Sequence, residues 1–331
     1  FKVSGGRTGD PSYSRLFTHS DWQKYTDRMP MRRWSRAITT WPFSTVAKSL
    51  WPVVLVVALW SYGLTSFVST VLPIAPQTSI SLFGQVLGLL LVWRTTHTYN
   101  RLFEARRLWG HAVFLTREVA QTVATSLLFD SHLKNETSGR NASIKTAQYL
   151  AAFCWELNAK LTEAEPQDDV IEALLTRNEA AWVAKQRSRP QQLLRSIRYI
   201  MYKQFRLGNL PAQVHQKIDD DVRQLNLVVS GCERLFSSPV PPTMSRHVVR
   251  CMVLWLLVLP LILSTSMRPA LVSFWSVLAT YAFAGIEVIG AQVEQPFQIV
   301  PMTQLCHIVM SSLEEAFTSP PPELLGGESM A

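Results

Sequence analysis

The chain has 331 residues, 47% hydrophobic and 17% charged, with 32 Lys and Arg against 24 Asp and Glu for a net charge of +8. A soluble protein of this length usually carries nearer a quarter charged residues, so the composition argues against an ordinary aqueous enzyme and for a lipid bilayer. The basic balance suits a membrane surface or small anions, and no basic run or basic-aromatic motif stands out to make nucleic acid a partner.

Residues 1–48 form a basic N-terminal segment with nine Lys or Arg against three Asp. Trp34, Trp41 and Phe43 punctuate its second half, and 32–46 reads as a short amphipathic helix lying in the membrane interface. A chain that opens on Phe1 rather than Met is what removal of a targeting segment would leave. From Ser49 to Trp93, 45 residues pass without a charged side chain. Pro73 and Pro76 break the run near its middle, leaving two spans of about 20 residues each, the length a bilayer core demands. The first runs from about Ser49 to Leu72. The second starts near Thr78 and carries its period through Arg94 and Tyr99 to Trp109, ending at Gly110. Residues 49–109 therefore read as a transmembrane hairpin whose second helix, roughly 30 residues and about 45 Å long, continues into water.

Residues 110–245 are helical by period, with candidate helices at 111–129, 143–163, 168–186, 190–207 and 211–236. Asp130–Arg140 reads as a polar loop, and Asn209, Leu210 and Pro211 mark a further break. Residues 246–290 form a second hairpin: Cys251–Met267 and Pro269–Ile286 are uncharged, Arg268 turns the chain, and Pro260 is expected to kink the third span. Residues 291–331 supply a polar helix at 303–318 and a tail expected to be disordered after Pro320–Pro322. Two hairpins place both termini and the middle domain on one side. The turns at 73–78 and 266–269 hold one Arg between them, so nearly all Lys and Arg lie on the side that is cytoplasmic or its organellar equivalent.

Arg94 directly follows the apolar run, and a cation so placed is costly unless it meets a watery path or a partner, so an anion pathway is the first expectation. Leu82, Val86, Leu89 and Trp93 step by four, three and four and share one helix face. That stripe reads either as ordinary packing or as a narrow hydrophobic constriction that gates by dewetting, and the second reading requires several subunits. No catalytic set competes: Asp219, Asp220 and Asp221 read as a solvated acidic turn, and there is no nucleophile elbow, P-loop or GxGxxG. Cys154, Cys232, Cys251 and Cys306 lie far apart in sequence and read as reduced, buried thiols. The seven histidines have no ligand spacing, so neither a metal nor another cofactor is expected. Asn135-Glu136-Thr137 and Asn141-Ala142-Ser143 are glycosylation patterns that would matter only in a secretory lumen.

Three ordered blocks carry a resemblance. Arg94-Thr95-Thr96-His97-Thr98-Tyr99-Asn100-Arg101, followed by Glu104-Ala105-Arg106-Arg107-Leu108-Trp109-Gly110, resembles the second-helix signature of the bestrophin superfamily. Gly231-Cys232-Glu233-Arg234 with Pro239-Val240-Pro241 is similar to the segment before its third span. Ile286-Glu287-Val288-Ile289-Gly290 with Val293-Glu294-Gln295-Pro296-Phe297 is similar to its fourth-span motif. The likeness is nearest to the bestrophin-like voltage-dependent chloride channels of plant and algal thylakoids, through Leu-Leu-Val-Trp-Arg-Thr and Leu305-Cys306. It implies an all-α membrane protein with four transmembrane helices and a helical aqueous domain, assembled as a homopentamer around a central pore. It further implies passive chloride conduction in a thylakoid membrane, with termini and helical domain on the stromal side. Counting back from Arg94, the family's neck falls on Val86, Leu82 and Thr78, with Leu89 just below and Arg94 attracting anions. Thr78 is polar where many relatives are apolar, and Gln298–Gln304 lacks the carboxylates of the animal calcium clasp, so gating of that kind is not expected. A lower aperture is expected near Ile218, Val222 or Leu225. Two rival readings stay open at this stage, a bicarbonate-conducting channel of the same architecture and a structural subunit of a larger membrane complex.

Overall fold

The structure is a computed structural model that describes residues 16–26, 30–68, 77–130, 133–162 and 168–319. The described residues are almost wholly helical. In chain order the helices are α1 (His19–Thr26), α2 (Pro30–Thr39), α3 (Thr45–Val68), α4 (Gln77–Val123), α5 (Glu136–Thr162), α6 (Asp168–Leu174), α7 (Arg177–Ala184), α8 (Arg189–Arg206), α9 (Ala212–Ser237), α10 (Pro242–Leu263), α11 (Pro269–Val293) and α12 (Met302–Thr318). The chain divides into two compact units, one made of Phe17–Phe103 and Pro239–Pro296, the other chiefly of Glu104–Ser238 with the chain from Phe297 onward.

In the first unit, α3, α10 and α11 are each long and apolar enough to cross a membrane. Their packing follows the rule for helices in lipid, where small side chains let backbones approach. α3 buries Ser61 and Thr65, and α11 buries Ser276, Thr280 and Ala284. A Cβ on Gly285 would lie 3.5 Å from the Val46 side chain, so α11 comes close to α3 there. The Ser273 hydroxyl donates to Ala58 O at 3.2 Å and Trp60 Nε1 donates to Leu257 O at 3.2 Å, tying α3 to α11 and to α10. α2 is followed by a short turn at Trp41–Phe43, and α3 starts at Thr45, so the interfacial helix expected over 32–46 is the shorter α2. Pro260 falls in the last turn of α10, which continues to Leu263, with Ser264 N bonded to Pro260 O at 3.0 Å. The turn expected at 73–78 lies outside the described residues up to Pro76.

α4 is the longest element, 47 residues or about 70 Å, and supplies residues to both units. Gly110, expected to stop it, does not. Trp109, Ala112 and Leu115 are buried and hold the helix in place, while the space around Gly110 is open, so packing outweighs the roughly 1 kcal/mol cost of a helical glycine.

The second unit is built around α5, which buries Leu150, Phe153, Cys154, Trp155, Leu157 and Leu161 and packs on α8 and α12, with α9 against α8. α5 begins at Glu136, seven residues before the expected 143, because Asn135 Oδ1 caps it by accepting from Ser138 N at 3.0 Å. The helix expected over 168–186 is two, α6 and α7. Glu179 closes the start of α7 by accepting from Thr176 N at 3.0 Å and from its hydroxyl at 2.6 Å, the capping-box arrangement. α8 ends in a left-handed glycine, Gly208 at φ 75, with Gly208 N bonded to Phe205 O and Asn209 N to Gln204 O. Asn209 then exchanges hydrogen bonds with the Asn135 backbone at 3.1 and 3.2 Å, fastening the end of α8 to the start of α5.

Candidate functional site

The upper half of α4 is two-faced. Leu87 and Leu91, each 1% exposed, enter a cluster with Leu50, Val248, Met252, Leu256 and Ala284. Gly84 lies against α10, where a Cβ would meet Trp255 Nε1 at 3.2 Å. On the opposite face Leu82, Val86 and Leu89 are 61%, 54% and 70% exposed, and Trp93, partly exposed, sits against His97 with ring centroids 4.3 Å apart. Within the chain, packing therefore uses the other face and leaves the Leu82–Trp93 stripe uncovered. The stripe continues as Thr96, Asn100, Phe103 and Arg107, all exposed, so apolar character gives way to polar along one face. Thr78 belongs to α4, but its side chain lies outside the described residues.

Arg94 closes the apolar stretch from the buried face. It is 5% exposed, and its Nη1 donates to Glu287 Oε1 of α11 at 2.7 Å, with Nη2 3.9 Å from Glu294 Oε2. Arg101 Nε donates to the Glu294 backbone carbonyl at 3.3 Å. A Cβ on Gly290 would lie 3.9 Å from Arg94 Nε and from Thr95 Cγ2, an ordinary contact distance, so α11 runs alongside Arg94 there. Arg94 is the residue expected to attract anions. Its charge is matched by a carboxylate of the same chain and points away from the exposed stripe. The carboxylate of a spanning helix was the missed signal, because Glu287 is as costly in lipid as Arg94 and the two cancel.

The remaining motif residues divide by role. Trp109 and Phe297 are core side chains. Glu104 is paired with Arg234 at 2.8 Å, and Glu233 with Lys160. Pro296 opens a short turn at the end of α11, and Pro239 and Pro241 are exposed in the link between α9 and α10. Arg106 and Arg107 are exposed and have no ion pair among the described residues. Glu118, on the same helix, is already met by Lys217 at 2.7 Å. Ile218, Val222 and Leu225 are not available to a lower aperture. All three are buried in the packing of α9 within its own unit, so their apolar surface is already used.

A family model described as bacterial and fungal bestrophin protein matches residues 25–315. The chain belongs to the bestrophin family. Among its bestrophin relatives, the voltage-dependent chloride channel 2, chloroplastic, of Arabidopsis thaliana is 26% identical over 317 residues, covering 92% of this chain and 73% of the relative. A voltage-dependent anion channel-forming protein of Ralstonia nicotianae is 29% identical over 271 residues, covering 81% and 85%. In fold, the chain is similar to the crystal structure of a bacterial bestrophin homologue from Klebsiella pneumoniae, with a TM-score of 0.72 at 22% identity over 80% of this chain and 98% of that one.

Proposed function

We propose that this bestrophin is a passive channel for small monovalent anions, chloride above all, formed by five copies around a central pore. Four spans, α3, the apolar part of α4, α10 and α11, cross the membrane, and Leu82, Val86 and Leu89, with Thr78 above them, line a hydrophobic neck. One observation carries the reading: the apolar stripe of α4 is left exposed by a helix that buries its opposite face. An exposed row of large apolar side chains needs a partner, lipid or a narrow pore to account for it. The channel names of the plant and bacterial relatives support anions as the cargo, and the chloroplastic names support a thylakoid location with the basic segments on the stromal side. Arg106 and Arg107, exposed on α4 and without an ion pair among the described residues, add to the positive potential expected of Arg94. Voltage dependence belongs to the same reading by way of those relatives.

The test is single-channel recording of the purified protein in a planar bilayer under a chloride gradient. A reversal potential near the chloride value, with conductance altered by Leu82→Ala and Val86→Ala, is the expected result. Assembled protein that stays silent would overturn the channel reading and leave a structural membrane subunit. A reversal that follows the cation gradient would overturn the anion assignment.

A further inference from the structure

Between α8 and α9 lies a cleft of about 270 Å³ lined by Gln191, Arg195, Arg198, Arg223 and Asn226. Every lining side chain carries N–H donors, and none is acidic or apolar. Two of the guanidiniums lie beside carboxylates. Arg198 Nε lies 2.8 Å from Asp219 Oδ1 and its Nη2 donates to Asp219 O at 3.3 Å. Arg223 Nε and Nη2 both lie 3.2 Å from Asp220 Oδ1. These contacts leave Nη1 of each guanidinium outside the pairs. Asp221, the third acid of the run, is turned to Lys217 at 3.2 Å. Arg195 makes no hydrogen bond or ion pair among the described residues. Three cations against two carboxylates leave the cleft positive.

The acids that follow α8 in sequence, Asp219, Asp220 and Asp221, are already paired with Arg198, Arg223 and Lys217. From Ala180 to Ile218 the chain holds eight Lys or Arg and no Asp or Glu. Like charges one helical turn apart, as in Arg195 and Arg198, repel, and Asp219 answers only Arg198. The neighbouring cleft, which Arg195 also borders, is already neutralised: Lys145 Nζ meets both Glu179 oxygens at 2.9 and 2.7 Å.

We propose that the α8–α9 cleft is a binding site for a multiply charged oxyanion of the phosphate class. Planar guanidinium forks match the paired oxygens of a tetrahedral oxyanion, whereas a halide offers one centre to several separated donors. The site lies within one compact unit and is independent of the stripe on α4, so it would act as a regulatory or stabilising site whatever the pore conducts.

The experiment is a thermal-shift titration of the purified, assembled full chain with sodium pyrophosphate and sodium phosphate, at ionic strength held constant with sodium chloride. A second arm uses nanodiscs containing phosphatidylglycerol without soluble phosphate. Saturable stabilisation by pyrophosphate, weaker by phosphate, is expected. Arg195→Gln and Arg223→Gln should each raise the midpoint about ten-fold, while Arg206→Gln, exposed on α8 outside the cleft, leaves it in place. Arg195 is exposed and makes no hydrogen bond or ion pair among the described residues, so its variant reports on binding rather than folding. Stabilisation seen only in the nanodisc arm, and lost in Arg195→Gln, keeps the site and names a lipid headgroup as the source. Stabilisation equal in wild type and Arg195→Gln, or absent in both arms, overturns the proposal. So would stabilisation that appears only with an acidic partner protein, which would make the cleft a docking surface instead.

Discussion

Glu287→Gln tests the reading of Arg94 as a matched, buried charge. The substitution keeps the side chain's size but leaves a guanidinium that is 5% exposed without its 2.7 Å carboxylate. Removing one partner of a buried pair costs about 3–5 kcal/mol, and the 18% exposure of Glu287 puts this case at the lower end, about 3 kcal/mol. In thermal unfolding of the purified protein in detergent, that is a fall of roughly 5–10 °C. Glu294→Gln should cost no more than about 1 kcal/mol, because that carboxylate stands 3.9 Å away and is better hydrated. The paired change Arg94→Leu with Glu287→Leu should recover most of the loss, since apolar replacement of both partners is often neutral. Glu287→Gln within 1 °C of wild type would refute the pairing. So would a double variant as unstable as Arg94→Leu alone, by showing that Arg94 works through something other than this carboxylate.

Leu87→Ala, in the packed face of α4, should cost about 2–5 kcal/mol, whereas Leu82→Ala and Val86→Ala on the exposed face should stay within about 0.5 kcal/mol while changing conductance. Melting curves and bilayer recordings of the same three variants separate packing from lining. Burial would raise the Glu179 carboxyl, but hydrogen bonds from Lys145, Thr176 and Tyr149 outweigh it and hold it down at about 2 against an ordinary 4.5. Its stabilisation is therefore complete above pH 4.5 and lost as pH falls from there towards 2, so Glu179→Gln should lower the melting temperature at pH 7 and narrow its gap to wild type at pH 3. Burial also pushes the Cys154 and Cys232 thiols up to about 12 and Cys306 higher than its ordinary value. All three should resist maleimide at pH 7.5 until the protein is denatured, as read by intact mass.

The apolar blocks could be read from the sequence because length and absence of charge are one-dimensional properties. The continuity of the helix through Arg94 was also legible, from a period that Arg94 does not interrupt. What stayed hidden depends on partners distant in sequence. Nothing local to Arg94 says that Glu287 waits for it 193 residues later. Nor does α9 announce that Ile218, Val222 and Leu225 are covered by its own unit, since an apolar stripe looks the same whether it faces a core or a pore. Gly110 misled because propensity was weighed without the buried Trp109 and Ala112 beside it. The division at Thr176 was there to be seen in Thr-x-x-Glu, a helix-start signature lying inside an otherwise helical run.

The separation of Arg94 from Glu287 also sets an order of events during synthesis. At about 5–20 residues per second, Arg94 waits roughly 10–40 s before its carboxylate is made. The whole of Glu104–Ser238 is translated in that interval. Under the four-span proposal, insertion of α4 is thus provisional until α11 arrives, and a chain interrupted before Glu287 would present an unmatched cation at the lipid boundary, a mark that separates unfinished copies from complete ones.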